Sequence, residues 1–336
     1  MTIMLTGGAG YIGSHTCVEL LEAGYPVVVV DNLSNSKMAS IERVQRITGK
    51  SVSFHQVDLL DKSALSAVFD AYDIQAVIHF AGFKAVGESV AFPLRYYQNN
   101  IVATLTLCDV MAAHNVKNMV FSSSATVYGD PSHTPVTEDL PIHPTNPYGR
   151  TKSMIEEMLG DIYLADTDWN IARLRYFNPV GAHPSGLIGE DPNDIPNNLL
   201  PYITQVGVGK LSELQVFGND YPTPDGTGVR DFIHVADLAA GHIHALNKLS
   251  SAPGMVTYNL GTGRGYSVLE LIAAFESVTG RHIPYRIVAR RPGDVASSFA
   301  DPSRANREMG WTATRFLEDI CRDAWNWQSR NPNGYA

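Results

Sequence analysis

Gly7-Gly8-Ala9-Gly10-Tyr11-Ile12-Gly13 follows the apolar run Ile3-Met4-Leu5 and precedes a helix-patterned segment, Ser14 to Leu21. A strand, a glycine-rich turn and a helix start in that order admit few folds. Gly7 permits the tight turn, Gly10 lets the backbone approach a pyrophosphate, and Gly13 lets the helix pack closely on the strand. The unpaired N–H groups of the helix then face the phosphates. A second apolar run, Val27 to Val30, ends in Asp31, 18 residues past Gly13, where a carboxylate accepts a hydrogen bond from an adenosine ribose. An acid there repels a 2′-phosphate, so the pattern predicts NAD rather than NADP.

Strand-like and helix-like segments continue to alternate. Strands are predicted over 53–57, 76–80, 119–121 and 171–175, with helices over 63–71 and 101–113. Strand, helix, strand implies a parallel sheet. Asp58, Phe80-Ala81-Gly82 and Ser122-Ser123-Ser124 fall at strand ends, the edge where such sheets bind ligands. The fold class is therefore α/β: a Rossmann-type doubly wound parallel sheet with a smaller, interleaved C-terminal α/β domain. Beyond Asn178 the texture turns to Pro, Gly and Asn, including Asp191 to Pro196, which marks a boundary. The segment 229–241 reads as a strand and helix that return to the sheet. The expected division is 1–177 plus about 230–260 for the dinucleotide domain, and 178–229 plus about 261–336 for the second. Helices are predicted over 268–279 and 316–329, with Trp325 and Trp327 as packing residues.

A net charge of −9 excludes bulk binding to nucleic acid or anionic membrane by the overall field. No apolar run reaches the roughly 18 residues that span a bilayer, and no signal-like start is present, so a cytoplasmic protein is expected. Cys17, Cys108 and Cys321 are scattered, as buried free thiols would be. His242 and His244 lie two apart, on different faces of a helix, and no metal is expected.

The reactive chemistry points to Tyr148-Gly149-Arg150-Thr151-Lys152, at the opening of the amphipathic segment 151–164. A spacing of four brings the two heads together on one helix face. For a phenol to act as a base near neutrality its pKa must fall by about three pH units, about 4 kcal/mol. Lys152 and a cationic nicotinamide ring supply that charge. Ser124, at the end of a strand, is placed to hydrogen-bond a substrate hydroxyl beside the tyrosine. Arg230 and Arg291 are forked donors suited to a diphosphate in an otherwise acidic chain.

The glycine fingerprint together with Ser124, Tyr148 and Lys152 resembles the extended short-chain dehydrogenase/reductase superfamily, and within it the UDP-glucose 4-epimerases. The resemblance runs along nearly the whole chain and is carried by residues 6–17, 79–89, 121–129, 176–186, 196–199, 218–231 and 291–294. It implies NAD-dependent interconversion of UDP-galactose and UDP-glucose in galactose metabolism, through a 4-keto intermediate. It implies catalysis by Tyr148, Lys152 and Ser124. NAD would be held by Gly7, Gly10, Tyr11, Ile12, Gly13, Asp31, Asn32, Asp58, Leu59, Phe80, Ala81, Gly82, Lys84, Asn99, Ser122, Tyr148, Lys152 and Phe177. The UDP-sugar would be held by Ser124, Tyr148, Asn178, Asn198, Leu199, Gln215, Val216, Phe217, Arg230, Arg291, Asp294 and Ser298. It also implies a homodimer that pairs 99–113 and 153–164 of each subunit.

Two rival readings share the fold. A nucleotide-sugar 4,6-dehydratase needs an added acid after Ser124, where this chain has Ala125-Thr126-Val127. A non-catalytic NAD-binding redox sensor has no need of Ser124, Tyr148 and Lys152 together. One position departs from the family pattern. Members restricted to unmodified hexoses commonly carry tyrosine where this chain has Ser298. If the stretch is extended, period two turns Asp294, Ala296 and Ser298 to one face, and the small serine leaves room for a 2-acetamido group. UDP-N-acetylglucosamine and UDP-N-acetylgalactosamine are then further expected substrates.

Overall fold

The computed structural model describes residues 1–193, 196, 198–291 and 293–335. Asn197 and Pro292, from segments that carry the resemblance, and residues 194 and 195 of the predicted loop lie outside the described residues. In chain order the first half comprises β1 (Thr2–Thr6), α1 (Tyr11–Glu22), β2 (Val27–Val30), α2 (Met38–Thr48), β3 (Ser53–His55), α3 (Lys62–Ala71) and β4 (Ile74–His79). Two short helices follow, α4 (Val86–Ala91) and α5 (Pro93–Tyr96), then a π-helical stretch (Tyr97–Val102) that runs into α6 (Ala103–Ala113). The half ends with β5 (Asn118–Ser124), a 3-10 turn (Ala125–Tyr128), α7 (Pro147–Ala165) and β6 (Asn170–Tyr176).

These strands, with β11 (Met255–Leu260), form a seven-stranded sheet in the order β11-β6-β5-β4-β1-β2-β3, parallel throughout. The order reverses between β1 and β4, and such a switch point opens a crevice at the carboxyl edge. Both faces are covered, so the strands are apolar on both sides rather than alternating. Ile3, Leu5, Val27 and Val29 pack with Cys17, Val18 and Leu20 of α1 on one face. Met4, Val28 and Val30 pack with Leu65, Leu107, Ile155 and Leu159 on the other. All three cysteines are buried and unpaired.

The rest of the chain builds a second core, apart from two helices that pack with the sheet. It contributes β7 (Asn178–Val180), α8 (Leu199–Gly207), β8 (Leu214–Phe217), β9 (Val229–Arg230), β10 (Phe232–His234), α9 (Val235–Leu249), β12 (Tyr266–Ser267) and α10 (Val268–Thr279), and then β13 (Tyr285–Val288), β14 (Ser297–Ser298), α11 (Ser303–Met309) and α12 (Leu317–Arg330). Ile203, Val216, Phe232, Phe275 and Ile320 meet in it, with Trp325 edge-on to Phe275. The two exceptions are α9 and α11, whose buried residues Leu238, Leu246 and Ala305 pack with the sheet.

Three expectations need correction. Residues 229–234 do not rejoin the central sheet: β10 pairs with β7 and β9 pairs with β12 and β14. The chain returns instead through α9, packed on α1, and β11 beside β6. The predicted helix over 101–113 is preceded by the π-helical stretch, a bulge whose extra residue a 3.6-residue period does not register. Finally, α7 begins at Pro147 rather than 151, since proline at the first helical position and an Asn146 cap, accepting from Gly149 N at 2.9 Å, start it early.

Candidate active site

The crevice is a cleft of about 850 Å³. Its floor is the glycine turn. Gly7 has φ +69, and a Cβ there would lie 2.7 Å from the backbone nitrogen of Ala81, so only glycine lets the turn sit against the end of β4. At Gly13 a Cβ would collide with the carbonyl of Gly7. No side chain caps α1 at Gly10, which leaves its first N–H groups to a ligand. Asp31 closes this end. Its carboxylate accepts from Ala9 N at 3.0 Å, Leu33 N at 2.9 Å and Ser36 Oγ at 2.9 Å. Burial raises its pKa, and those three bonds oppose the rise. The uncapped helix, a cradle that a Cβ would fill and the carboxylate at the end of β2 fit a dinucleotide.

Every residue expected on the cofactor side lines this cleft: Gly7, Gly10, Tyr11, Ile12, Gly13, Asp31, Asn32, Asp58, Leu59, Phe80, Ala81, Gly82, Lys84, Asn99, Ser122 and Phe177. Tyr11 donates to Gly181 O at 2.6 Å, tying the glycine turn to the strand after β6. Asn32 donates to Asp58 at 2.9 Å across the ends of β2 and β3.

Ser124, Tyr148 and Lys152 converge on the same cleft. Gly149 makes this possible, because a Cβ there would stand 2.8 Å from Thr126 O and hold α7 off the turn after β5. The Ser124 hydroxyl accepts from Thr126 N at 3.2 Å and Thr126 Oγ1 at 2.9 Å, so its own hydrogen remains to be donated. Lys152 donates to Ser122 O at 2.6 Å and lies over the Phe121 ring.

The electrostatics refine the expectation for the tyrosine. Burial pushes the Tyr148 phenol above its ordinary value of 10, and the Ser124 hydroxyl pulls the other way. Burial also pushes Lys152 down to about 8, opposed by Glu156. A further positive charge in the cleft, such as a nicotinamide ring would bring, acts on the phenol in the same sense as Lys152.

On the substrate side, Asn178, Asn198, Arg230, Arg291, Asp294 and Ser298 line the cleft. Arg291 Nε pairs with Asp294 at 3.0 Å. Leu199, Gln215, Val216 and Phe217 do not join them. Leu199 packs on the second core, Val216 is buried in it, and Gln215 points to solvent. Phe217 lies beneath the Arg291 guanidinium, 4.8 Å from ring centroid to Cζ. The extended stretch assumed for Ser298 is also corrected. Gly293 turns with φ +85 and only Ser297–Ser298 is a strand, paired with Val229 and Arg230. Period two does not relate 294 to 298, and Val295 lines the cleft as well; Asp294 and Ser298 reach it regardless.

Sequence reasoning missed Lys37, Glu190, Asp191 and Tyr335. Glu190 takes Lys84 and Asn198, each at 2.9 Å, while Asp191 takes Lys37 at 2.7 Å and Tyr335 N at 2.8 Å. Composition marks 189–193 as a loop, but no local period tells which loop crosses a cleft. The two acids beside candidate cofactor and substrate residues were the available signal. Among the described residues no cluster of His, Cys, Asp and Glu is arranged to hold a metal ion.

A doubly wound parallel sheet with an anion-ready glycine turn and a serine, tyrosine and lysine at its carboxyl edge defines a dinucleotide-dependent enzyme of the short-chain dehydrogenase/reductase type. The chain belongs to the NAD dependent epimerase/dehydratase family, whose model matches residues 3–261. It is 64% identical to UDP-glucose 4-epimerase of Dictyostelium discoideum, over 99% of this chain and 97% of that one. It is 62% identical to UDP-glucose 4-epimerase of Bacillus subtilis (strain 168), over 100% and 99%. The crystal structure of UDP-glucose 4-epimerase from Bifidobacterium longum in complex with NAD+ and UDP superposes with a TM-score of 0.97 at 54% identity, covering 99% of this chain and 100% of that one.

Proposed function

We propose that this chain is an isomerase that interconverts UDP-galactose and UDP-glucose through a 4-keto intermediate, using NAD. The observation that carries the reading is the meeting of Ser124, Tyr148 and Lys152 beside the dinucleotide cradle. Full-length relatives of that name support it. When bound, the nicotinamide supplies reversible oxidation and reduction at C4 of the sugar. Tyr148 Oη takes the proton of the 4-hydroxyl and later returns it, with the Ser124 hydroxyl holding the same oxygen. Arg230 and Arg291 anchor the diphosphate while the ketone turns over between the two half-reactions.

The division into 1–177 plus about 230–260 and 178–229 plus about 261–336 follows the two halves of this task. The separate core around Phe275 supports it, although Ala305 and Trp311 pack with the sheet half. We read the chain as a cytoplasmic homodimer. Val102 at the end of the π-helical stretch, Leu105 on α6, and Met154 and Leu164 on α7 are exposed apolar residues on the two segments expected to pair, Leu164 at 76% exposure. No helix of the described residues is long and apolar enough to cross a membrane.

Protein as purified, given UDP-galactose and no added electron acceptor, is expected to form UDP-glucose. Acid denaturation should release NAD that dialysis leaves bound, because a cofactor regenerated in each cycle need not exchange. A 6-deoxy-4-keto product would instead identify a dehydratase, and absence of turnover a sensor. Lys152→Met removes the cation and leaves the Ser124 hydroxyl as the protein group that opposes the burial of Tyr148. The acid limb of the rate profile should then move to higher pH by about one to three units. Single-turnover rates from pH 6 to 10 measure it, and an unmoved limb assigns the tuning elsewhere.

A further inference from the structure

Glu156 lies on α7 one turn beyond Lys152 and two beyond Tyr148, so the three share a helix face. It is a carboxylate only 4% exposed. It accepts from Ser123 Oγ at 2.5 Å and, in a fork, from Arg175 Nε at 3.0 Å and Arg175 Nη2 at 2.6 Å. Ser123 stands between Ser122, whose carbonyl receives Lys152, and Ser124. Arg175 sits opposite Ser123 in the β5–β6 ladder and reaches on to Tyr128 Oη at 2.8 Å and Glu138 O at 3.0 Å. Tyr128 closes the 3-10 turn that Ser124 caps. One buried carboxylate thus joins α7 to the strand end and, through Arg175, to the turn that carries the serine.

We propose that Glu156 is a positioning residue for the epimerase reaction: it sets the register of the Tyr148–Lys152 turn against Ser122 and Ser124. The inference rests on the function proposed above. A carboxylate with no such task would serve as well if replaced, together with Arg175, by apolar groups, since buried ion pairs add little net stability over a packed core. Here it is fixed to the strand residue between two members of the site. The charged and titratable groups around it are Lys152 and Tyr148 from α7, Arg173 and Arg175 from β6, Tyr128 and Glu138 beyond Arg175, and His79 of β4 near Lys152. Glu156 favours the charged form of Lys152. Glu156→Gln removes that support and leaves Arg175 unopposed, and both effects favour the neutral lysine.

The test measures kcat, KM, bound NAD and melting temperature across pH for wild type, Glu156→Gln and Ser123→Ala. Glu156→Gln is expected to lower kcat about 10- to 100-fold with KM little changed. Its alkaline limb, where Lys152 gives up its proton, should move to lower pH by about one unit, while the acid limb, set by Tyr148 a turn further away, moves less. Ser123→Ala keeps the ion pair and cuts the tie to β5, so kcat should fall with the limbs unmoved. Wild-type kcat in a folded, NAD-loaded Glu156→Gln protein overturns the proposal, as does a loss that only tracks the melting temperature with both limbs unmoved. Should Glu156→Gln not fold, undiminished kcat in Ser123→Ala overturns it. Wild-type protein that leaves UDP-galactose untouched overturns the epimerase reading along with it, whereas an active wild type confines the failure to Glu156.

Discussion

Tyr148→Phe is expected to lower kcat by about 10²- to 10⁴-fold, the contribution of a positioned acid–base group. The change removes one oxygen and keeps the ring in the first turn of α7. Tyr148 is partly open to the cleft, so folding free energy should shift by no more than about 0.5 kcal/mol. NAD should stay bound, because the glycine turn and Asp31 do not depend on the phenol. KM should change little, since Arg230 and Arg291, the proposed diphosphate anchors, are untouched. Turnover of UDP-galactose by the purified variant, with NAD quantified after acid release, decides the matter. Activity near that of wild type would remove Tyr148 as the base and leave Ser124 without a partner. The pH dependence should be informative as well. Burial alone holds the phenol up, so in wild type the acid limb reports how far Lys152 and the bound cofactor pull it down.

The parts of this site legible in the sequence are those fixed by local chemistry. Gly7, Gly10 and Gly13 can be read because a turn and two close approaches exclude a Cβ, and the structure shows those collisions at Gly7 and Gly13. Tyr148 and Lys152 can be read because one helical turn spans four residues. Alternating strands and helices foretold the parallel sheet, since a run apolar on both faces, such as Val27–Val30, needs cover on both sides. What could not be read depends on distant pairing. Residues 229–234 have a strand's composition, but only tertiary packing sends them to β7 and β14 rather than to the central sheet. The acids that cross the cleft, Glu190 and Asp191, meet lysines more than a hundred residues earlier in the chain. Glu156 carries the same lesson: in the sequence it is one more charge on an amphipathic helix, and only the fold buries it between Ser123 and Arg175. The electrostatic balance at Tyr148 was equally hidden, because burial raises the phenol and lowers Lys152, and spacing does not report burial.

Ser298→Tyr should act on substrate breadth rather than on the chemistry. Ser298 lines the cleft beside Asp294 and is held in register with Arg230, one of the proposed diphosphate anchors. Two of its neighbours in the chain turn elsewhere. Ala296 is not part of the cleft wall, and Phe299 packs against Gly265, where an added Cβ would come within 3.0 Å of its ring. A tyrosine side chain contributes about 150–250 Å² of surface, enough to fill the room a 2-acetamido group needs. Wild-type protein is therefore expected to turn over UDP-N-acetylglucosamine as well as UDP-galactose. In the Ser298→Tyr variant the bulkier sugar should meet an overpacking cost of about 1–3 kcal/mol, about a 5- to 150-fold loss in kcat/KM. UDP-galactose, with a hydroxyl at that carbon, should keep its rate, because Tyr148, Ser124 and the arginine anchors are unchanged. Comparing kcat/KM for the two sugars in both proteins isolates the effect from any general loss of activity. An equal loss for both would place the tyrosine in the path of every substrate. No measurable turnover of UDP-N-acetylglucosamine by wild type, in an assay where UDP-galactose is epimerised briskly, would show that the hollow beside Ser298 does not admit the acetamido group.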